Sequence, residues 1–241
     1  MGTAILYGAA ASSALVIGAA LGSRYKPSQM ITDGLLAFAS GALISALSFE
    51  LFDEAFELGG AARSGLALLA GAGAFVLADT LLDRYTEGRS ASGHEMGSGR
   101  GGDVVGLALL AGVTLDGVPE NLALGVSLVD DASLSLLVAI FFSNLPESLV
   151  GAMRMREGTS ARRVMGLWGA CALLLAAAVV VGNAFGGVLS DEVLSVALGF
   201  AGGAVLASLA TTLMPEAYTK GHPSVAFATA AGFFLSYVLA V

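Results

Sequence analysis

An all-α membrane protein is the fold class this sequence predicts, and three observations carry it. Of 241 residues, 56% are hydrophobic and only 12% are charged, against about 25% charged in soluble domains. Mean hydropathy is +0.83. Apolar runs of about 20 residues, the length a bilayer core requires of a helix, fill nearly the whole chain. The spans leave no room for a second unit, so 1–241 reads as a single transmembrane domain.

Taken in order, the runs give eight candidate spans: 4–22, 32–51, 64–82, 104–128, 133–153, 164–189, 193–214 and 223–241. The first does not read as a signal peptide, because no basic residue precedes it and seven further spans follow. Spans 1, 2, 6 and 7 are rich in glycine and alanine, as expected where backbones approach closely in lipid. Between spans 3 and 4 lies the longest connection, 83–103, rich in glycine and serine and read as a flexible loop. It carries His94 and Glu95, which can touch a metal only transiently. Spans 4 and 5 are joined by a few residues around Asp130 and are expected to be antiparallel neighbours.

Basic residues orient the chain. Arg24, Lys26, Arg84, Arg89, Arg100, Arg154, Arg156, Arg162, Arg163 and Lys220 fall in loops on one side, and Arg63 alone falls on the other. The positive-inside rule puts the first group in the cytoplasm and both termini outside, as in an integral plasma membrane protein. Outer loops collect Asp53, Glu54, Glu57, Asp130, Asp131, Asp191 and Glu192, an acidic rim that can concentrate cations or is merely tolerated there. The formal charge is −8, and no nucleic-acid partner is expected. The single cysteine, Cys171, supports neither a disulfide framework nor a thiolate cluster.

Segment 36–56 aligns with 198–218, with identities at Leu36, Phe38, Ala39, Gly41, Ala42, Leu47, Leu51, Glu54 and Ala55 of the first copy. Spans 1 and 6 echo each other more weakly, in 14–22 against 178–186. Spans 2 and 7 run in opposite directions, so the reading is an inverted repeat of spans 1–3 and 6–8 around a central pair. Carriers commonly place their site near the midplane between such halves.

The central pair holds the chemistry. Span 4 contains Leu-Asp-Gly-Val-Pro-Glu-Asn at 115–121, and span 5 contains Phe-Ser-Asn-Leu-Pro-Glu-Ser at 142–148. A charged side chain at that depth costs roughly 2.5–3.5 kcal/mol on insertion scales and marks a functional site by default. Asp116 and Glu120 are four residues apart and share a helix face, as do Ser143 and Glu147, with Asn144 adjacent. Pro119 and Pro146 each remove a backbone donor, freeing the carbonyls of Leu115 and Phe142. Freed groups at membrane depth are tolerated where they line a cavity. The candidate metal-holding set is therefore Asp116, Glu120, Ser143, Asn144 and Glu147. Its donors are all oxygen, which suits Mg²⁺, Mn²⁺ or Ca²⁺, whereas imidazole suits zinc, copper, iron and nickel. Binding requires ionised acids. Glu50, Asp53, Glu54 and Glu216, at helix ends, are candidate way-stations or simply solvated acids, and Asp79 can bond to a neighbouring helix.

With these motifs the chain resembles the ZIP family of divalent-metal transporters. The likeness rests on eight spans with outer termini, a long loop after span 3, and the span-4 and span-5 motifs, whose family forms are roughly H-N-x-x-[E/D]-G and H-N-x-P-E-G. Segment 199–217 is similar to the family's last repeat element. The resemblance implies a carrier bringing zinc, iron, manganese or a related ion into the cytoplasm by alternating access. The metal is cargo and no prosthetic group is expected; lipid is the surrounding partner, and a homodimer is left open. Glu120, Asn144 and Glu147 match family ligands. The motif histidines are replaced by Asp116 and Ser143, the second-site asparagine by Gly117, the terminal glycines by Asn121 and Ser148, and a span-6 glutamate by Ala172. The alternative is a non-transporting relative, a metal sensor or structural membrane protein. An enzyme is not expected: there is no His-Glu-x-x-His, no Gly-x-Ser-x-Gly and no histidine in any span.

Overall fold

Each apolar run forms a helix because, away from water, a helix alone satisfies every backbone group within one segment. The computed structural model describes residues 1–91, 100–129, 133–156, 158–218 and 223–240, with side chains at 82, 83, 85–91, 100–109 and 116 excepted. In chain order the helices are α1 (Gly2–Arg24), α2 (Gln29–Ala46), α3 (Asp53–Ala91), α4 (Arg100–Ser127), α5 (Leu134–Met155), α6 (Ala161–Gly186), α7 (Asp191–Ser208), α8 (Met214–Tyr218) and α9 (Pro223–Ala240). Two π-helical stretches interrupt the regular winding, Leu47–Phe52 after α2 and Leu209–Leu213 after α7. Ser133 and Ser160 cap α5 and α6, accepting from the amides of Leu136 at 3.1 Å and Arg163 at 3.4 Å. No strand occurs among the described residues.

Six stretches among the described residues are long and apolar enough to cross a membrane: Gly2–Arg24, Gln29–Leu81, Leu134–Met155, Ala161–Gly186, Asp191–Tyr218 and Pro223–Ala240. They define a multi-pass helical membrane protein. Gln29–Leu81 has 53 residues, about 80 Å of helix at 1.5 Å per residue, far beyond a ~30 Å hydrocarbon core. It bends at Gly60, whose φ of 69° and ψ of 172° lie outside helical space and are open to glycine alone at little cost.

Two expectations change here. The connection between the second and third spans is helical throughout except at Gly60, so Asp53 and Glu54 sit in the first turn of α3. Acids read as loop residues are equally at home on a helix that has left the apolar layer. Likewise α3 runs to Ala91 and α4 starts at Arg100, so helix covers both shoulders of the connection read as a flexible loop. Helix formers such as Arg84, Glu87 and Arg89 continue a helix in water at little cost. His94, Glu95, Asp130, Asp131, Lys220 and His222 lie outside the described residues.

Packing runs in parallel pairs. On α1 and α5, Gly18 lies against Leu145 and Gly22 against Leu149. On α4 and α6, Gly117 meets Leu175 and Gly125 meets Val179. The later half of α3 and α7 pair through Ser64 with Gly199 and Leu68 with Gly203. Helices α2 and α9 pair through Gly41 with Thr229 and Phe49 with Tyr237. The larger apolar core is built mainly from α2, α4, α5 and α7, with Leu36, Leu43, Leu124, Ile140 and Leu198 inside it. A second cluster, around Trp168, Leu15, Met155 and Leu175, locks α1, α5 and α6 together. Together the two clusters pack against both α4 and α5.

Candidate metal centre

Both prolines sit inside continuous helices, Pro119 in α4 and Pro146 in α5. Neither can donate to the carbonyl four residues back, so the helices carry a built-in gap in their backbone bonding at the level of the acids. Glu120 is only 5% exposed, Ser143 and Asn144 are 1% exposed, and Glu147 is half-buried. All four are thus turned substantially into protein rather than onto the outer surface of the bundle. Phe142 is fixed beside them by edge-to-face contact with Phe38 of α2, ring centroids 5.1 Å apart. Asp116 is one turn before Glu120 on α4; its side chain lies outside the described residues.

Several polar groups at this level are committed locally. The Ser143 hydroxyl donates to the Ile140 carbonyl at 3.0 Å, which leaves its lone pairs for another partner. The Asn144 Nδ2 is buried without a hydrogen-bond partner, and so is the Oδ1 of Asn121. Asn121 donates through Nδ2 to the Gly117 carbonyl at 2.8 Å. A buried amide left partly unsatisfied costs about 1–3 kcal/mol, and such groups in native structures call for an explanation. Both lie on the central pair, Asn121 next to Glu120 in α4 and Asn144 three residues before Glu147 in α5.

Sequence reasoning set Cys171 aside, yet α6 brings it to this level. Its Sγ is 3.5 Å from Thr114 Oγ1 of α4. The signal lay in the buried face of α6, where Trp168, Cys171, Ala172 and Leu175 recur at helical spacing. Among the described residues no group of three or more His, Cys, Asp or Glu side chains is gathered closely enough to hold a metal. The candidate residues are thus placed on two helices, Asp116 and Glu120 on α4 and Ser143, Asn144 and Glu147 on α5.

Gly117 and Ser148 have clear packing roles. At Gly117 a Cβ would come within 2.6 Å of Leu175 Cδ1, so the leucine of α6 occupies the space that an asparagine side chain would need. Ser148 turns toward α1, donating to the carbonyls of Asn144 at 2.7 Å and Ala14 at 3.3 Å. Gly18 gives it room, since a Cβ there would meet Ser148 Oγ at 2.1 Å.

The acids read as way-stations sit at the bundle ends. Glu50, in the first π-helical stretch, accepts a hydrogen bond from Ser135 of α5. Glu216 pairs with Arg154 at 2.6 Å rather than being simply solvated. Glu192 pairs with Arg63 at 3.3 Å. Asp53 is exposed, while Glu54 and Asp79 are half-buried. No protein-family profile matches the chain, and no curated protein matches it either.

Proposed function

We propose that this protein is a divalent-cation carrier of the ZIP type, with eight spans arranged as an inverted repeat around α4 and α5. The eight are α1, α2 with its π-helical extension, α3 beyond Gly60, α4, α5, α6, α7 with α8, and α9. The observation that carries the reading is a carboxylate 5% exposed, Glu120, beside Pro119 in one central helix, matched by Glu147, Ser143 and Asn144 around Pro146 in its neighbour. A carboxylate so buried is either protonated or compensated by a positive partner, and on this reading a bound cation is that partner.

Paired features 161 or 162 residues apart support the repeat. The π-helical stretches begin at Leu47 and Leu209, and 209 − 47 = 162 is also the offset of the aligned segments. Gly41 packs on the Thr229 carbonyl and Gly203 on that of Leu68; Gly232 packs on Phe38 and Gly71 on Phe200. Each contact is the counterpart of the other, one partner shifted by 162 residues and the other by 161. π-Bulges cluster at functional sites, and the first reaches α5 of the central pair through Glu50 and Ser135.

Leu175 over Gly117, with Ala172 in place of an acid, favours one cation site rather than two adjacent ones. Carboxylate, amide and hydroxyl donors favour Mn²⁺ or a similar hard ion over zinc. The basic end of the bundle faces the cytoplasm of a plasma membrane, with the termini outside, and transport is inward by one half rocking against the other.

Uptake of Mn²⁺, Zn²⁺ and Cd²⁺ into proteoliposomes tests this. The wild-type protein accumulates at least one ion, and Glu120→Ala and Glu147→Ala abolish accumulation while remaining folded. Folded wild-type protein that takes up no divalent ion at any pH from mildly acidic to mildly basic would establish the non-transporting alternative.

A further inference from the structure

Asp33, the fifth residue of α2, is only 1% exposed. Gln29, one turn earlier and exposed, donates from Nε2 to its Oδ1 at 2.6 Å. The other oxygen, Oδ2, is buried and has no hydrogen-bond partner. An ionisable side chain inside a spanning helix is a functional candidate by default, and a buried oxygen left unpaired calls for an explanation. The central site lies on α4 and α5, so Asp33 of α2 is no part of it.

Helix α7 shows what such a position needs for packing alone. Helices α2 and α7 both have 18 residues, and Ser195 is the fifth residue of α7 as Asp33 is of α2. Ser195 is fully buried, and its hydroxyl donates to the Ala55 carbonyl at 2.6 Å, tying α7 to α3. A short neutral side chain with one donor is sufficient there. An ionised carboxylate has acceptors and no donor, so Asp33 cannot repeat that bond and keeps an oxygen over. The partial positive charge at the start of α2 does not account for it. That field falls off within the first turn, and Oδ2 accepts from none of the amides. Gln29 holds one oxygen, which fixes the carboxylate with the other in the interior.

We propose that Asp33 Oδ2 binds a monovalent alkali cation, Na⁺ being the probe, which enters from water past Gln29. Hard cations take oxygen ligands, and a single carboxylate balances one unit of charge. A divalent ion calls for further acids, and among the described residues no group of three or more His, Cys, Asp or Glu side chains is gathered to hold one. The ion gives Oδ2 the partner it lacks, and by mass action it stabilises the folded protein as the site fills. This cation site on α2 is separate from the one proposed on α4 and α5, and it does not depend on transport.

Thermal unfolding of the full-length protein in neutral detergent tests this, with sodium chloride replacing choline chloride at constant ionic strength. The wild-type melting temperature rises with Na⁺. Asp33→Ser, which copies α7, and Asp33→Asn show no rise, whereas Asp191→Asn, the same charge loss at an exposed acid of α7, keeps it. Should neither Asp33 variant fold, Gln29→Ala, at an exposed position, raises the Na⁺ concentration for half the effect about 5-fold, the worth of one hydrogen bond. A wild-type protein indifferent to Na⁺ would overturn the site, as would an undiminished rise in either Asp33 variant or an unmoved midpoint in Gln29→Ala. Because the readout is unfolding, failure here and failure of metal uptake are told apart.

Discussion

Gly117 and Leu175 make the sharpest residue-level case, because the group that blocks a larger side chain is itself a side chain. A Cβ at 117 would lie 2.6 Å from Leu175 Cδ1, and Leu175 is fully buried. Gly117→Asn should therefore overpack the α4–α6 contact and cost about 1–3 kcal/mol. Leu175→Ala alone should cost about 2–5 kcal/mol through the cavity it leaves. The double variant should cost clearly less than the two added together, since each change relieves the other. Thermal unfolding of the detergent-solubilised proteins reads this out; simple additivity would mean that Leu175 does not fill the space. The same scale holds the pH dependence of the proposed transport. On the proposed function the metal would be held by ionised carboxylates, and protons compete for such oxygens. Uptake should fall on acidification, and Glu120→Gln, which keeps shape but removes charge, should remove uptake at every pH.

Between elements the decisive contacts are backbone to backbone, and they respond differently. A Cβ at Gly18 would meet Ser148 Oγ at 2.1 Å, but also the Leu145 carbonyl at 2.3 Å. Trimming the serine removes only the first clash. Gly18→Ala should therefore destabilise the α1–α5 pair, and Ser148→Gly should fail to rescue it, in contrast to the rescue expected between 117 and 175. Full recovery of the melting temperature in the Gly18→Ala, Ser148→Gly protein would show that α1 and α5 can separate freely. Such contacts also mark what the sequence could reveal. Apolar runs of membrane-spanning length located every long helix, because lipid constrains composition residue by residue. They could not locate the π-helical stretches or the bend at Gly60, because Asp53, Glu54 and Glu57 suit a solvated helix as well as a loop. Glu120, Ser143, Asn144 and Glu147 were legible as polar groups where polarity is costly. Cys171, Thr114 and Leu175 were not, because their part depends on how α6 is rotated against α4, which no local pattern encodes.

For the molecule as a whole, the direction of the proposed transport depends on which end of the bundle faces inward. Arg24, Lys26 and Arg156 line one cavity, so the ends of α1 and α5 share a side, and Arg154 beside them reaches Glu216 of α8. That surface pair is half-exposed and contributes at most about 1 kcal/mol, so it reports geometry rather than holding the bundle closed. Such clustering of cations at one end is what the positive-inside rule reads as cytoplasmic. Cys171 is buried, which allows the test in a Cys171→Ser background with single new cysteines. Tyr25, 64% exposed at the basic end, and Gly2, exposed at the opposite end of α1, are suitable positions. In intact cells a membrane-impermeant maleimide should label Gly2→Cys at once and Tyr25→Cys only after permeabilisation. The reverse pattern would turn the molecule over, put the acidic helix ends inside, and make the same central site an exporter's.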